Sequence, residues 1–105
     1  MNAAAGALLL HSYFILHPSY FRFMFQHILF LPDLGIDDQP ILLSVWLAKR
    51  GAKVKEGAPL VEVLCGGVTV DLPSPSDGIL TEKLAAEDEM LSVGQRLAII
   101  EEAII

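Results

Sequence analysis

The chain has one cysteine among 105 residues, and Cys65 therefore cannot form an internal disulfide or supply a cysteine-based zinc site. Basic residues are also scarce, seven against thirteen acids, for a net charge of −6. A surface built to neutralise phosphates would be cationic, so nucleic acid is excluded as an expected partner. Only 19% of the residues are charged while 53% are hydrophobic, a balance too apolar for intrinsic disorder. No long apolar run is clean either. The uncharged stretch Asn2–Phe21 is interrupted by His11, Ser12, His17, Pro18 and Ser19. The length is that of one domain.

The composition divides the chain in two. Residues 1–31 hold Arg22 as their only charge, together with His11, His17, His27 and every aromatic except Trp46. From Pro32 onward thirteen acids face six bases, a net charge of −7. We therefore expect an apolar N-terminal extension over 1–31 and a separate domain over 32–105. Four readings compete for the extension. A secretory signal lacks its basic flank and small-residue cleavage site, and a transit peptide would need more than one arginine. A membrane-associated helix has the length but carries the polar interruptions. The fourth reading is a segment that packs on something, or sequence read through ahead of the true domain. The histidine spacings of six and ten fit no single helical face, and no acid lies nearby, so no metal site is expected.

Beyond Pro32, glycine and proline punctuate short apolar or alternating runs: Ile41–Leu47, Pro59–Leu64, Val68–Leu72, Gly78–Leu84 and Gln95–Glu101. Such spacing implies a small all-β sandwich or barrel. Only Leu84–Met90 is helix-friendly. A shift of 37 residues superposes Leu47 on Leu84, Val54 on Leu91, Gly57 on Gly94, Leu60 on Leu97 and Val63 on Ile100. Gly51 then meets Asp88, and both residue types tolerate a left-handed turn. Two copies at one offset point to a barrel of two interlocked halves with pseudo-twofold symmetry. Between them lies Leu64-Cys65-Gly66-Gly67-Val68, a hairpin signal, because both glycines accept positive φ without a Cβ penalty. The exposed tip of that hairpin is the expected functional position.

Several phrases now carry a resemblance. Lys53-Val54-Lys55-Glu56-Gly57-Ala58-Pro59-Leu60-Val61-Glu62-Val63, Val68-Thr69-Val70-Asp71-Leu72-Pro73-Ser74-Pro75, Asp77-Gly78 and Val93-Gly94-Gln95 stand in one order. From Leu31 to about Glu101 the chain resembles the lipoyl (biotinyl/lipoyl-carrier) domain of 2-oxo acid dehydrogenase acyltransferase components. The resemblance implies a flattened barrel of two four-stranded antiparallel sheets. It also implies an Asp-Lys-Ala tip whose lysine is amidated by lipoic acid, a chemistry that needs a primary amine on an exposed turn. Aligned without a gap, Gly66 falls at the aspartate, Gly67 at the lysine and Val68 at the alanine. The usual attachment residue is missing, so no cofactor is expected at Cys65, Gly66, Gly67 or Val68.

The remaining candidates have plainer readings. Lys49, Lys53, Lys55 and Lys83 lie away from the tip and read as solvated surface. Cys65 has no cationic neighbour in sequence to activate its thiol and reads as a half-buried strand residue. Glu87-Asp88-Glu89 and Glu101-Glu102 are solvated surface or an acidic face for a basic partner. A filled small barrel offers no cleft for paired carboxylates, so no catalytic residue is expected. Trp46 breaks the alternation of its strand, either as a half-buried residue or as an outer-face anchor. The expectation is a non-enzymatic, cytoplasmic module that binds a protein partner, either a dehydrogenase complex or lipoylation machinery. A carrier modified at another site, a membrane-tethered assembly subunit and a homo-oligomer are the alternatives.

Overall fold

The computed structural model describes residues 25–36 and 38–102. Among these residues are eight strands: β1 (Phe25–Phe30), β2 (Ile41–Trp46), β3 (Lys53–Val54), β4 (Pro59–Cys65), β5 (Val68–Pro73), β6 (Gly78–Lys83), β7 (Met90–Leu91) and β8 (Arg96–Glu102). They form two four-stranded antiparallel sheets, ordered β1-β8-β6-β3 and β5-β4-β2-β7. No helix occurs among the described residues. The helix-friendly stretch Leu84–Met90 is a loop whose last residue opens β7.

The expected pseudo-twofold is present at the level of individual hydrogen bonds. Adding 37 to the residue numbers converts β2 into β6, β3 into β7 and β4 into β8. Gly51 N donates to Leu80 O at 2.7 Å, and its counterpart Asp88 N donates to Leu43 O at 2.7 Å. Gly51 and Asp88 both sit at positive φ, 90° and 70°. Leu47 N to Leu60 O and Leu84 N to Leu97 O are both 2.8 Å. Even the irregularities repeat, with register shifts between Leu43 and Val45 and between Leu80 and Glu82. The shift in β2 explains Trp46. An extra residue breaks the alternation, so Trp46 turns back toward the core instead of anchoring an outer face. It is half-buried, and its Nε1 donates to Ala85 O at 3.0 Å.

The core is built from symmetry-related pairs. Leu43 and Leu80, Leu60 and Leu97, Val61 and Ala98, and Val63 and Ile100 are all fully buried. Each lies on β2, β4, β6 or β8, the two inner strands of each sheet, where residues are flanked on both sides. Burying each of the Leu, Val and Ile side chains among them contributes roughly 1.5–3 kcal/mol.

The expected boundary at 31/32 is displaced. Phe25–Phe30 pairs along its whole length with β8, from Phe25 opposite Glu102 to Phe30 opposite Arg96. Leu29 and Leu31 join the core, at 7% and 1% exposure. The run FQHILF was masked in the sequence by an uncharged, aromatic-rich neighbourhood and by a different offset. It is the counterpart of β5, displaced by 43 residues instead of 37. Residues 1–24 of the extension, for which four readings were open, lie outside the described residues together with His11 and His17. Among those described, no helix is long and apolar enough to cross a membrane.

Two outcomes are expected. A chain beginning at Phe25 keeps the cooperative urea transition of the full chain, whereas one beginning at Pro32 loses it. The second deletion removes Leu29, Leu31 and a whole edge strand, and buried leucines contribute about 2–5 kcal/mol each against a typical total of roughly 5–15 kcal/mol. Separately, Gly78 has φ 153°, and a Cβ there would collide with the Glu101 carbonyl oxygen. Gly78→Ala is expected to destabilise by at least about 2 kcal/mol in the same assay, with no change in the m-value.

Candidate functional site

The hairpin forms where its two glycines stand. β4 and β5 pair antiparallel up to Cys65 opposite Val68, and Gly66 and Gly67 make the two-residue turn between them. Their φ values are 59° and 81°, both positive as a type I′ turn requires. This turn twists with the strands it joins, so register is held up to the last pair. Gly66, Gly67 and Val68 are exposed, and Val68 keeps 54% of its surface accessible. Beside Gly66 lies the side chain of Gln39, whose Cγ would be 3.3 Å from a Cβ at Gly66. Gly67 faces open space.

Cys65 is more deeply placed than a half-buried strand residue. It has no exposed surface and closes the core beneath the turn. Its thiol is sealed from solvent, so the four tip residues divide into one internal residue and three exposed ones carrying no nucleophile. No lysine reaches the tip. Lys53 is on β3 of the opposite sheet, and Lys49 and Lys55 are exposed in the segments around it. Lys83 ends β6, with its Nζ 5.1 Å from the centre of the Trp46 ring. Trp46 and Lys83 are related by the 37-residue shift, so this cation–π contact joins the two halves.

The acidic runs have internal partners. Glu87 Oε2 accepts from Trp46 N at 3.0 Å, and Glu89 Oε1 accepts from Ala86 N at 2.9 Å. Glu89 Oε2 also accepts from Gln95 Nε2 at 3.1 Å. Glu101 accepts from Gln26 Nε2 at 2.9 Å, and Glu102 Oε1 lies 2.9 Å from His27 Nε2. These carboxylates bind turns and the edge strand β1 rather than standing free. Among the described residues no three His, Cys, Asp or Glu side chains converge as metal ligands.

One feature of the tip was beyond sequence reasoning. A shallow groove of about 420 Å³ borders Gly66 and Gly67, lined by Gln39, Pro40, Leu42, Leu64 and Met90. Leu42 faces Leu64 on one side and Met90 on the other, so three strands contribute one apolar row. Met90 and Leu42 lie 48 positions apart in sequence, and only the β2–β7 pairing joins them. A two-residue strand such as β7 leaves no periodic signal that would have announced it.

Comparison with known proteins agrees with this architecture. The biotin/lipoyl family described as "Biotin-requiring enzyme" matches residues 29–100. The chain is 36% identical over 67 residues to the dihydrolipoyllysine-residue succinyltransferase component of the 2-oxoglutarate dehydrogenase complex of Buchnera aphidicola, covering 64% of this chain and 16% of that protein. It is 36% identical over 73 residues to the dihydrolipoyllysine-residue acetyltransferase component of the pyruvate dehydrogenase complex of Corynebacterium glutamicum, covering 70% of this chain and 11% of that one. With the acetyltransferase component of Acholeplasma laidlawii the identity is 42% over 66 residues, covering 63% and 12% of the two chains. The matched region thus spans less than a fifth of each relative. Two sheets related by a pseudo-twofold, a two-residue hairpin tip and a family match over most of the chain place this protein in the biotin/lipoyl domain family, whose members here include the acyltransferase components of 2-oxo acid dehydrogenase complexes.

Proposed function

We propose that this chain is a non-catalytic, lipoyl-type module that carries neither lipoate nor biotin at its hairpin and acts by binding a protein partner. The observation behind this reading is the pair Gly66-Gly67 at the exposed turn. Attachment forms an amide between the carboxyl carbon of the acid and a side-chain amine, and glycine has no side chain to offer. The scaffold around the turn is otherwise complete, with register kept to the Cys65–Val68 pair. A folded barrel without its amine retains surface but not carriage. The relatives' membership of dehydrogenase complexes makes such a complex, or the enzymes that modify its carriers, the partner we favour. A cytoplasmic location belongs to the same proposal.

The test is intact-mass measurement after co-expression with a lipoate or biotin protein ligase. The wild-type chain is expected to keep its unmodified mass. A modified species mapped to Lys49, Lys53, Lys55 or Lys83 would replace this reading with that of a carrier using a different site. The double substitution Gly66→Asp with Gly67→Lys is expected to gain the mass of one lipoyl group. Its cost in stability is about 1–2 kcal/mol, because both new side chains enter positive φ. An unmodified double variant with a native-like spectrum would mean that more than the tip differs from a modifiable domain.

A further inference from the structure

The pseudo-twofold supplies an internal control for every surface feature, and the groove beside the tip fails to match its counterpart. Subtracting or adding 37 carries its walls onto a second concavity of similar size, about 410 Å³, on the outer face of the other sheet. There, Asp77 stands for Pro40, Ile79 for Leu42, Glu101 for Leu64 and Lys53 for Met90. One groove is lined by opposite charges on an ordinary solvated face. The other has apolar side chains at all four equivalent positions, and Met90 leaves 59% of its surface in water. Folding does not require this, since the same backbone elsewhere in the molecule accepts charge at three of the four places.

Charge is distributed as unevenly. The strands of the β5-β4-β2-β7 sheet contain no Lys, Arg or His, whereas Lys53, Lys83, Arg96 and His27 all lie on the strands of the other sheet. The tip-bearing sheet has two acids, Glu62 and Asp71, directly opposite one another on β4 and β5. Like charges facing each other across a strand pair are unfavourable, and neither forms a salt bridge among the described residues. Glu62 is two residues along β4 from Leu64, on the same face, so the acid pair borders the apolar row.

We infer that the outer face of the tip-bearing sheet is a docking surface for a basic segment of another protein. One large aliphatic or aromatic side chain fills the groove formed by Leu42, Leu64, Met90 and Pro40, and neighbouring Lys or Arg side chains meet Glu62 and Asp71. The tip glycines contribute by omission. Without Cβ atoms they let an extended backbone approach the groove's end, and Gln39 offers it an amide. A second copy of this chain is the poorer occupant, because it would bring the same acid pair to the contact. This inference rests on the protein-binding reading above and names the partner's chemistry.

The experiment is an amide-shift titration of the isotope-labelled full chain. The probes are a short peptide with a Phe-Leu pair flanked by lysines, its glutamate-flanked counterpart and a lysine-only peptide. The first is expected to give saturable shifts concentrated at Leu42, Leu64, Gly66, Gly67 and Met90, weakening as salt rises. The other two are expected to bind at least tenfold more weakly. Met90→Lys and Leu64→Glu, which import the chemistry of the opposite groove, should each lower affinity at least tenfold with the remaining spectrum unchanged. Asp71→Asn should reduce affinity severalfold and flatten the salt dependence. Absence of saturable shifts at millimolar lysine-flanked peptide overturns the inference, as does equal binding of the glutamate-flanked peptide. Shifts at the same residues on concentrating the chain alone would assign the surface to a second copy and also overturn it. The mass measurement is independent of these outcomes. A chain modified on another lysine would end the non-carrier reading without touching the groove, and an inert groove would leave the unmodified mass as it is.

Discussion

Everything in this barrel depends on two equivalent strand segments being buried at once, Leu60–Val63 on β4 and Leu97–Ile100 on β8. Each is an inner strand of its sheet, paired on both sides, and each turns its aliphatic side chains into the shared core. Leu60, Val61, Val63, Leu97, Ala98 and Ile100 have no exposed surface. Because neither sheet can cover its inner face alone, the two halves fold as one cooperative unit. The turns repeat for the same reason. With β2 paired to β4 and β6 to β8, the bonds from Gly51 to Leu80 and from Asp88 to Leu43 fall at equivalent places in the two halves.

Much of that scaffold was legible in the sequence because a repeat converts weak local signals into a correlated one. The glycine and proline punctuation marked the inner strands within one or two residues, and the offset that joins Gly57 with Gly94 and Leu60 with Leu97 paired them as two halves. The short strands Lys53–Val54 and Met90–Leu91 were not legible, because two residues have no period. β1 was missed for a different reason. Its segment shares the composition of the residues before it, and the longer connection between Leu31 and Ile41 spoils the common offset. The turn at Gly66-Gly67 was legible from local chemistry alone. The groove beside it was not, since its walls come from β2, β4 and β7 and meet only after both pairings have formed.

The departures from symmetry are as informative as the symmetry. Where packing governs, the halves agree: Leu43 with Leu80, or Leu60 with Leu97. Where the surface is free to vary, they diverge, with charged side chains lining one groove and apolar side chains lining the other. Buried positions answer to the constraint of the core, and exposed ones answer to whatever the molecule meets. The barrel thus separates the residues that make it stable from those that distinguish its two faces.

The last such departure concerns connectivity. β4 and β5 are joined through Gly66 and Gly67, and their counterparts β8 and β1 lie side by side without a direct link, Phe25 opposite Glu102. Viewed along the backbone, the eight strands form a nearly closed ring with a stitched seam at the tip and an open seam between Glu102 and Phe25. Stitching the open seam with two glycines and cutting the closed one would exchange their places while preserving every strand pair. The hairpin is therefore one of two equivalent corners of the molecule, made singular by how the chain is threaded.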